Sequence, residues 1–153
     1  MKVSRDEIAL ATGFYTGYIP IAQGTFGSLL ATFIYCIPGF ENPWIMSPII
    51  LITFIYGVRV CTKMESLLGK DPSECTIDEF VGTWISYLFL PKIPIIIIIT
   101  FFIWRILDIL KPLPANLMEN ISGGWGIMLD DVVSGFYAAF IVHLMLYFNL
   151  IPY

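Results

Sequence analysis

The side chains of this chain that could do chemistry are concentrated in a few short motifs, and each motif lies at the border of a long apolar run. A charged group is costly in lipid, so ionisable residues in such positions indicate function. Clustered carboxylates next to basic residues and glycine-rich turns predict a site for a metal ion and a phosphate. The motifs are residues 24–28 (GTFGS), Asp78-Glu79, Arg105 with Asp108, Lys111-Pro112, and residues 123–126 (GGWG) followed by Asp130-Asp131.

The carboxylates form two adjacent pairs, with Asp108 as a fifth acidic residue. Clustered carboxylates repel one another, and a bound divalent cation relieves that repulsion. Ligands that are all oxygen favour Mg²⁺, with Mn²⁺ or Ca²⁺ as alternatives, and no His or Cys joins the cluster to favour zinc. The alternative is that each pair only caps a helix, since acidic residues stabilise first turns. We predict that the metal ligands are Asp78, Glu79, Asp130 and Asp131.

A phosphate would be bound by a helix start and by nearby basic residues. Helix N-termini carry unpaired N–H groups and attract anions, and glycines let a phosphate approach the backbone. Arg105, Asp108 and Lys111 are spaced three apart, so they share one helical face. The alternative for these three is a salt-bridge ladder at the membrane interface. The predicted phosphate-binding residues are Thr25, Gly27, Ser28, Arg105 and Lys111.

The elements that must position these motifs are hydrophobic helices. The chain has 153 residues, of which 58% are hydrophobic and 13% charged, with a mean hydropathy of +0.81. So small a globule cannot bury that many apolar residues, so the bilayer is the expected solvent and residues 1–153 form a single membrane-embedded domain. We predict an all-α, polytopic bundle of about four to five hydrophobic helices, with a short surface helix at residues 4–10. The apolar runs are residues 29–37, 44–58, 80–90, 94–103 and 127–150.

The basic residues predict the orientation of this bundle. With five segments, seven of the eight Lys and Arg residues fall on one side, and only Lys92 falls on the other. The positive-inside rule makes that side cytoplasmic, which places every motif there. We therefore predict a multi-pass protein of the cytoplasmic (inner) membrane whose active face is cytoplasmic. The net charge of −4 and the absence of a basic stripe argue against nucleic acid, and Cys36, Cys61 and Cys75 are expected to be free thiols.

At these motifs the chain resembles the phosphatidylglycerophosphatase A family. The resemblance implies a magnesium-dependent membrane enzyme that removes the terminal phosphate of phosphatidylglycerophosphate and leaves phosphatidylglycerol. Asp131, Asp108 and Asp78 are then the expected catalytic carboxylates, with Asp131 orienting or deprotonating the attacking water. The matching stretches are residues 24–29, 71–82, 105–112 and 123–131, in similar order and spacing; Cys75-Thr76 and Ala115-Asn116 depart from the expected pattern.

Two other classes of function remain open at this point. A cation carrier would need polar residues deep in several helices, whereas only His143 and some hydroxyl groups are deep. A noncatalytic membrane subunit could use the charges to dock a partner protein, but it would not need glycine-rich helix starts. No protein partner can be named from the sequence. The nucleophile is expected to be water, with a carboxylate or Ser28 as a less favoured alternative.

Overall fold

The fold is a bundle of helices, described here from a computed structural model over residues 3–151. Within that range there are seven α-helices and no strand, so the all-α prediction is confirmed. The helices are α1 (Arg5–Ala11), α2 (Gln23–Tyr35), α3 (Pro43–Leu68), α4 (Ile77–Tyr87), α5 (Pro94–Leu110), α6 (Ala115–Met118) and α7 (Gly124–Tyr147), with a 3₁₀ turn at Thr16–Tyr18.

The short N-terminal helix is present as predicted. The amide of Ser4 donates to Oε2 of Glu7 at 2.9 Å, and the amide of Glu7 donates to Oγ of Ser4 at 3.2 Å. This reciprocal pair is a capping box, which satisfies two amides that a helix start leaves without partners. The Glu7 carboxylate also accepts a hydrogen bond from Lys63 of α3. That bond lowers the pKa of Glu7 and ties α1 to the bundle.

Two helices, α3 and α7, are long and apolar enough to cross a membrane. They contain 26 and 24 residues, against the 20 or so that a span requires. α3 starts at Pro43, with Asn42 as its N-cap, and continues past the predicted end at residue 58 because Val60, Cys61 and Met64 keep a buried stripe on the helix. Large apolar side chains on other faces of these helices are exposed, as at Leu51 and Phe140.

The third apolar run corresponds to a core helix. α4 has 11 residues, which is about 16 Å of helix, and all of them except Asp78 are buried. α4 packs against α2, α3, α5 and α7. It therefore lies at the centre of the bundle, and the predicted count of four to five hydrophobic helices is not confirmed. Its first turn carries Asp78 and Glu79 into the interior.

Small residues allow the central helices to approach closely. A Cβ atom placed on Gly135 of α7 would lie 2.6 Å from the carbonyl oxygen of Gly82 in α4. A Cβ on Gly82 would lie 2.1 Å from Cη2 of Trp104 in α5. Neither position can carry a side chain without a shift of its neighbours. Small residues at such contacts let helices pack closely in a membrane.

The cysteines differ from expectation. Cys61 of α3 and Cys75, which precedes α4, form a disulfide, so the expectation of three free thiols was wrong. The two residues are brought together because Cys61 lies on the buried stripe of α3 and Cys75 is packed into the same apolar cluster. Cys36, at the end of α2, is exposed and free. The disulfide anchors the segment before Asp78 and Glu79 to α3.

Candidate active site

The charged residues of the predicted motifs gather around one cavity of about 320 Å³ at one end of the bundle. Each wall comes from a different element: the starts of α2 and α4, the end of α5, and the first two turns of α7. This is the arrangement expected of helices that alternate in direction. The predicted site residues that line the cavity are Thr25, Asp78, Glu79, Arg105, Asp108, Lys111, Asp130 and Asp131, together with Gln23, Gly24, Asp71 and Thr76.

Three carboxylates meet within this site. One oxygen from each of Glu79, Asp108 and Asp131 lies within 4.8 Å of the other two, and all three residues are buried. Oδ2 of Asp131 is buried and has no hydrogen-bond partner among the described residues. An oxygen that is buried without a partner is costly, and a cation would satisfy it. These three residues could therefore hold one metal ion.

The carboxylates that converge are not the same four that were predicted as metal ligands. Consecutive helical residues point about 100° apart, so only one member of each acidic pair can face the centre. Glu79 and Asp131 face it, while Asp78 and Asp130 flank it. Oδ1 of Asp78 accepts the Glu79 amide at 2.9 Å, and Oδ1 of Asp130 accepts the Asp131 amide at 3.0 Å. Asp108, which was predicted to be catalytic, supplies the third converging carboxylate.

Arg105 links the carboxylates of two helices. Its Nη1 lies 2.5 Å from Oε2 of Glu79 and 3.0 Å from Oδ2 of Asp108. The contact with Asp108 joins residues three apart on α5, as the shared helical face predicted. Nε of Arg105 is buried without an acceptor in the described part of the chain. Arg105 therefore offsets part of the negative charge at the site and retains a free donor.

Lys111 binds carboxylates in the structure. It leaves α5 in a left-handed conformation, and its Nζ lies 2.6 Å from both Oδ2 of Asp130 and Oε1 of Glu119. Burial opposes its charge, but these two hydrogen bonds prevail and raise the pKa of Lys111. Lys111 therefore remains a cation at neutral pH and cannot serve as a general base. Its observed role is to join α5 to α6 and α7.

The start of α2 supplies backbone donors to the cavity. α2 begins at Gln23 after Ala22, which is left-handed, and no side chain among the described residues caps it. A Cβ on Gly24 would lie 1.9 Å from Oε1 of Glu79, so only glycine allows the carboxylate this close to the helix. The uncapped turn of a 13-residue helix thus borders the acidic cluster.

Two residues predicted to bind phosphate lie behind the cavity wall. Gly27 faces Thr76, and a Cβ added to it would lie 3.1 Å from Cβ of that residue. Ser28 is fully buried, with its hydroxyl 2.8 Å from Oε2 of Glu79. Neither residue lines the cavity. The glycine-rich start of α7 is also elsewhere, because the amide of Gly124 donates to Oγ1 of Thr62 in α3.

Sequence reasoning missed two residues of the site. Trp104 is fully buried, and its indole nitrogen donates to Oγ of Ser28 at 3.3 Å. Glu119 pairs with Lys111 from the end of α6. The sequence does contain a signal for Trp104, because it lies four residues before Asp108 and so on the same helical face. The buried face of α5 consists of four residues at this spacing: Ile96, Thr100, Trp104 and Asp108.

Comparisons with known proteins cover nearly the whole chain. A family model described as "Phosphatidylglycerophosphatase A" matches residues 9–146. A Bacteroides thetaiotaomicron protein named "Putative phosphatidylinositol-3-phosphatase" is 37% identical over 88% of this chain and 90% of its own length. Proteins named phosphatidylglycerophosphatase A from Escherichia coli and Haemophilus influenzae are 36% and 34% identical, over 94% and 92% of this chain and 85% and 89% of theirs. No solved structure matches the chain.

Proposed function

Because the chain belongs to the phosphatidylglycerophosphatase A family, we propose that it hydrolyses the terminal phosphomonoester of phosphatidylglycerophosphate to phosphatidylglycerol and phosphate. The observation that supports this most strongly is the convergence of Glu79, Asp108 and Asp131 beside an uncapped helix start. The first feature suits a metal ion, and the second suits a phosphate. A site that holds both is what phosphate ester hydrolysis requires.

We propose that the three converging carboxylates hold Mg²⁺. The donors are all oxygen, they come from three helices, and the unpartnered Oδ2 of Asp131 fits a cation. Bound Mg²⁺ would offset charge on the phosphate oxygens and make a bound water more acidic. Asp130 is engaged by Lys111, so its proposed role is to support the site through that ion pair.

Phosphate binding is assigned to the walls around this cluster. The N–H groups of Gln23, Gly24 and Thr25 in the first turn of α2 are proposed as donors to phosphate oxygens, because a helix N-terminus favours an anion. Arg105, near the end of α5, also lines the cavity and provides a second source of positive charge. Gly27 and Ser28 take no direct part, because other residues separate them from the cavity.

The proposed reaction uses water as nucleophile. Asp78 borders the cavity, is half-buried and lies outside the converging trio, so we assign it the task of orienting the water and accepting its proton. The water oxygen forms a bond to phosphorus while the ester P–O bond breaks. The departing glycerol oxygen takes a proton from solvent, to which the cavity is open. Asp108 and Asp131 are metal ligands in this scheme, so the proton-accepting task expected of Asp131 from the sequence is given to Asp78.

The proposed setting is the cytoplasmic face of the inner membrane. A phosphomonoester on a lipid headgroup lies at the boundary between membrane and water. The cavity lies at one end of the bundle, and α7, one of the helices that form its walls, is long enough to span. The distribution of basic residues assigns that end to the cytoplasm. The lipid therefore needs only to present its headgroup to reach the carboxylates.

A second lipid substrate is favoured by one relative. The name of the B. thetaiotaomicron protein indicates phosphatidylinositol 3-phosphate, which also carries a phosphomonoester on its headgroup. The carboxylates and the start of α2 would bind either phosphate equally well. Selectivity between the two lipids would therefore depend on contacts to the glycerol or inositol part of the headgroup.

The test is phosphate release by the purified protein in lipid nanodiscs, with each lipid supplied separately and with EDTA or excess Mg²⁺. We expect faster release from phosphatidylglycerophosphate, abolished by EDTA and restored by Mg²⁺. Preferential release from phosphatidylinositol 3-phosphate would select the second substrate. No release from either lipid would contradict the proposed function and favour a carrier or a noncatalytic subunit, while full release in EDTA would contradict the metal assignment.

A further inference from the structure

We infer that Ser28 and Trp104 are positioning residues that orient the Glu79 carboxylate towards the metal ion. This inference rests on the proposed metal site, and it gives Ser28 a role different from the phosphate contact expected from sequence. Neither residue borders the cavity, and both are fully buried behind it. Their effect on the reaction must therefore pass through another side chain.

The contacts form a chain that leads to Glu79. Oγ of Ser28 lies 2.8 Å from Oε2 of Glu79, 3.3 Å from Nε1 of Trp104 and 3.2 Å from Nη1 of Arg105. The three partners belong to α4 and α5, whereas Ser28 belongs to α2. One hydroxyl group thus connects three helices at the back of the site.

The direction of each hydrogen bond follows from the chemistry of the partners. An indole N–H and a guanidinium can donate but cannot accept. The Ser28 oxygen must therefore accept from both Trp104 and Arg105, which uses its two lone pairs. Its single proton is then left for Oε2 of Glu79, the acceptor that it contacts among the described residues. The serine hydroxyl has one orientation, and that orientation points at a metal-binding carboxylate.

This arrangement gives the two carboxylate oxygens of Glu79 different contacts. Oε2 is held by Ser28 and by Arg105, so the carboxylate cannot rotate freely. Oε1 lies against the start of α2, where a Cβ on Gly24 would approach it to 1.9 Å. Gly24 lines the cavity, which places Oε1 at the cavity wall. Ser28 thus leaves one oxygen of Glu79 free for the ion.

Trp104 is itself fixed by close packing. Its ring rests on α4 at Gly82, where no Cβ could be accommodated, and no part of the residue is exposed. The indole nitrogen is therefore held at a constant position relative to α4. Groups that orient a metal ligand in this way commonly affect metal affinity by about 10- to 100-fold.

The first test compares Ser28→Ala with Ser86→Ala, a control serine that is also fully buried but donates only to the carbonyl oxygen of Thr83. We expect Ser28→Ala to raise the Mg²⁺ concentration for half-maximal phosphate release by about 10-fold or more, with the KM for lipid unchanged. Ser86→Ala should leave both values unchanged. A raised KM at an unchanged Mg²⁺ requirement would identify Ser28 as a phosphate contact and overturn the inference.

A second comparison tests the indole N–H. Trp104→Phe removes the donor and keeps an aromatic ring, whereas Trp84→Phe removes an indole N–H that donates to the carbonyl oxygen of Ala31. We expect only Trp104→Phe to raise the Mg²⁺ requirement, and by less than Ser28→Ala. Equal behaviour of the two variants would contradict a specific role for Trp104.

A readout without lipid separates this inference from the proposed reaction. Mn²⁺ should raise the melting temperature of the wild-type protein, and it should do so less at a given concentration in Ser28→Ala. That difference would support positioning even in a protein that hydrolyses none of the tested lipids. Equal stabilisation of both proteins by Mn²⁺, or none in the wild type, would overturn the inference.

Discussion

At the scale of single residues, the structure separates the carboxylates that meet from those that support them. Glu79, Asp108 and Asp131 share one centre, and Asp130 is neutralised by Lys111. Asp130 and Lys111 are both mostly buried, with 5% and 24% of their side chains exposed. Loss of one partner from such a pair leaves an uncompensated charge, which costs more than loss of both.

Lys111→Met should therefore destabilise the protein by about 3 kcal/mol, measured as a fall in the free energy of unfolding in detergent. The double variant Lys111→Met with Asp130→Asn should be clearly less destabilised than the sum of the two single changes. Strict additivity would show that the ion pair between them contributes nothing, and that Lys111 acts elsewhere.

The residue types of the site were predictable from the sequence, but their grouping was not. Acidic pairs beside apolar runs identified the carboxylates, because charge is costly in such places. Which carboxylates converge depends on the rotation of α4, α5 and α7 about their axes, which is set by packing partners distant in sequence. Asp108 faces inward because Thr100 and Trp104 bury the same face of α5.

At the scale of elements, α4 is the support on which the site is built. Its first turn carries Asp78 and Glu79, and its next turn carries Gly82, on which Trp104 packs. Hydrophobicity alone does not separate such a buried helix from a membrane span, and the orientation predicted from the sequence counts the third apolar run as one of five segments. Its shortness was the available signal, since 11 residues are too few to cross.

Gly82→Ala should disturb this support, because the added Cβ would lie 2.1 Å from Cη2 of Trp104. Overpacking of this kind costs about 1–3 kcal/mol, to be measured as a lower stability in thermal or denaturant unfolding. Trp104→Phe in the same chain removes the atoms that clash, so it should restore part of the loss. If adding Trp104→Phe to Gly82→Ala gives no recovery, the contact between the two residues does not limit the packing.

At the scale of the whole molecule, the acidic cavity lies at one end of the bundle and Cys36 terminates α2, the helix whose first turn borders that cavity. In the proposed orientation the cavity end faces the cytoplasm. Cys36 should then face the other side of the membrane, because it lies shortly before the start of α3, a helix long enough to cross. Cys36 is the free thiol of the described chain and is exposed, whereas Cys61 and Cys75 are joined. Labelling of Cys36 can therefore report on which side of the membrane this end of α2 lies.

A membrane-impermeant maleimide applied to spheroplasts should label Cys36 in the wild-type protein. In a Cys36→Ser background, Ser73→Cys places a thiol on the exposed segment beside the cavity, and it should react only after the membrane is opened. The reverse pattern would show that the cavity faces outward. Labelling of both thiols in closed spheroplasts would contradict the proposed span.

We propose that Glu79, Asp108 and Asp131 hold one divalent ion on which phosphate release depends. The most direct measurement is Mn²⁺ binding by electron paramagnetic resonance to wild-type protein and to folded Asp108→Asn and Asp130→Asn variants. We expect one site in the wild type and an affinity lower by about 10-fold or more in Asp108→Asn. The Mn²⁺ affinity of Asp130→Asn should stay closer to that of the wild type than the affinity of Asp108→Asn does, because Asp130 is paired with Lys111. Unchanged binding in Asp108→Asn, with binding lost in Asp130→Asn, would contradict the account and return the metal to the adjacent acidic pairs.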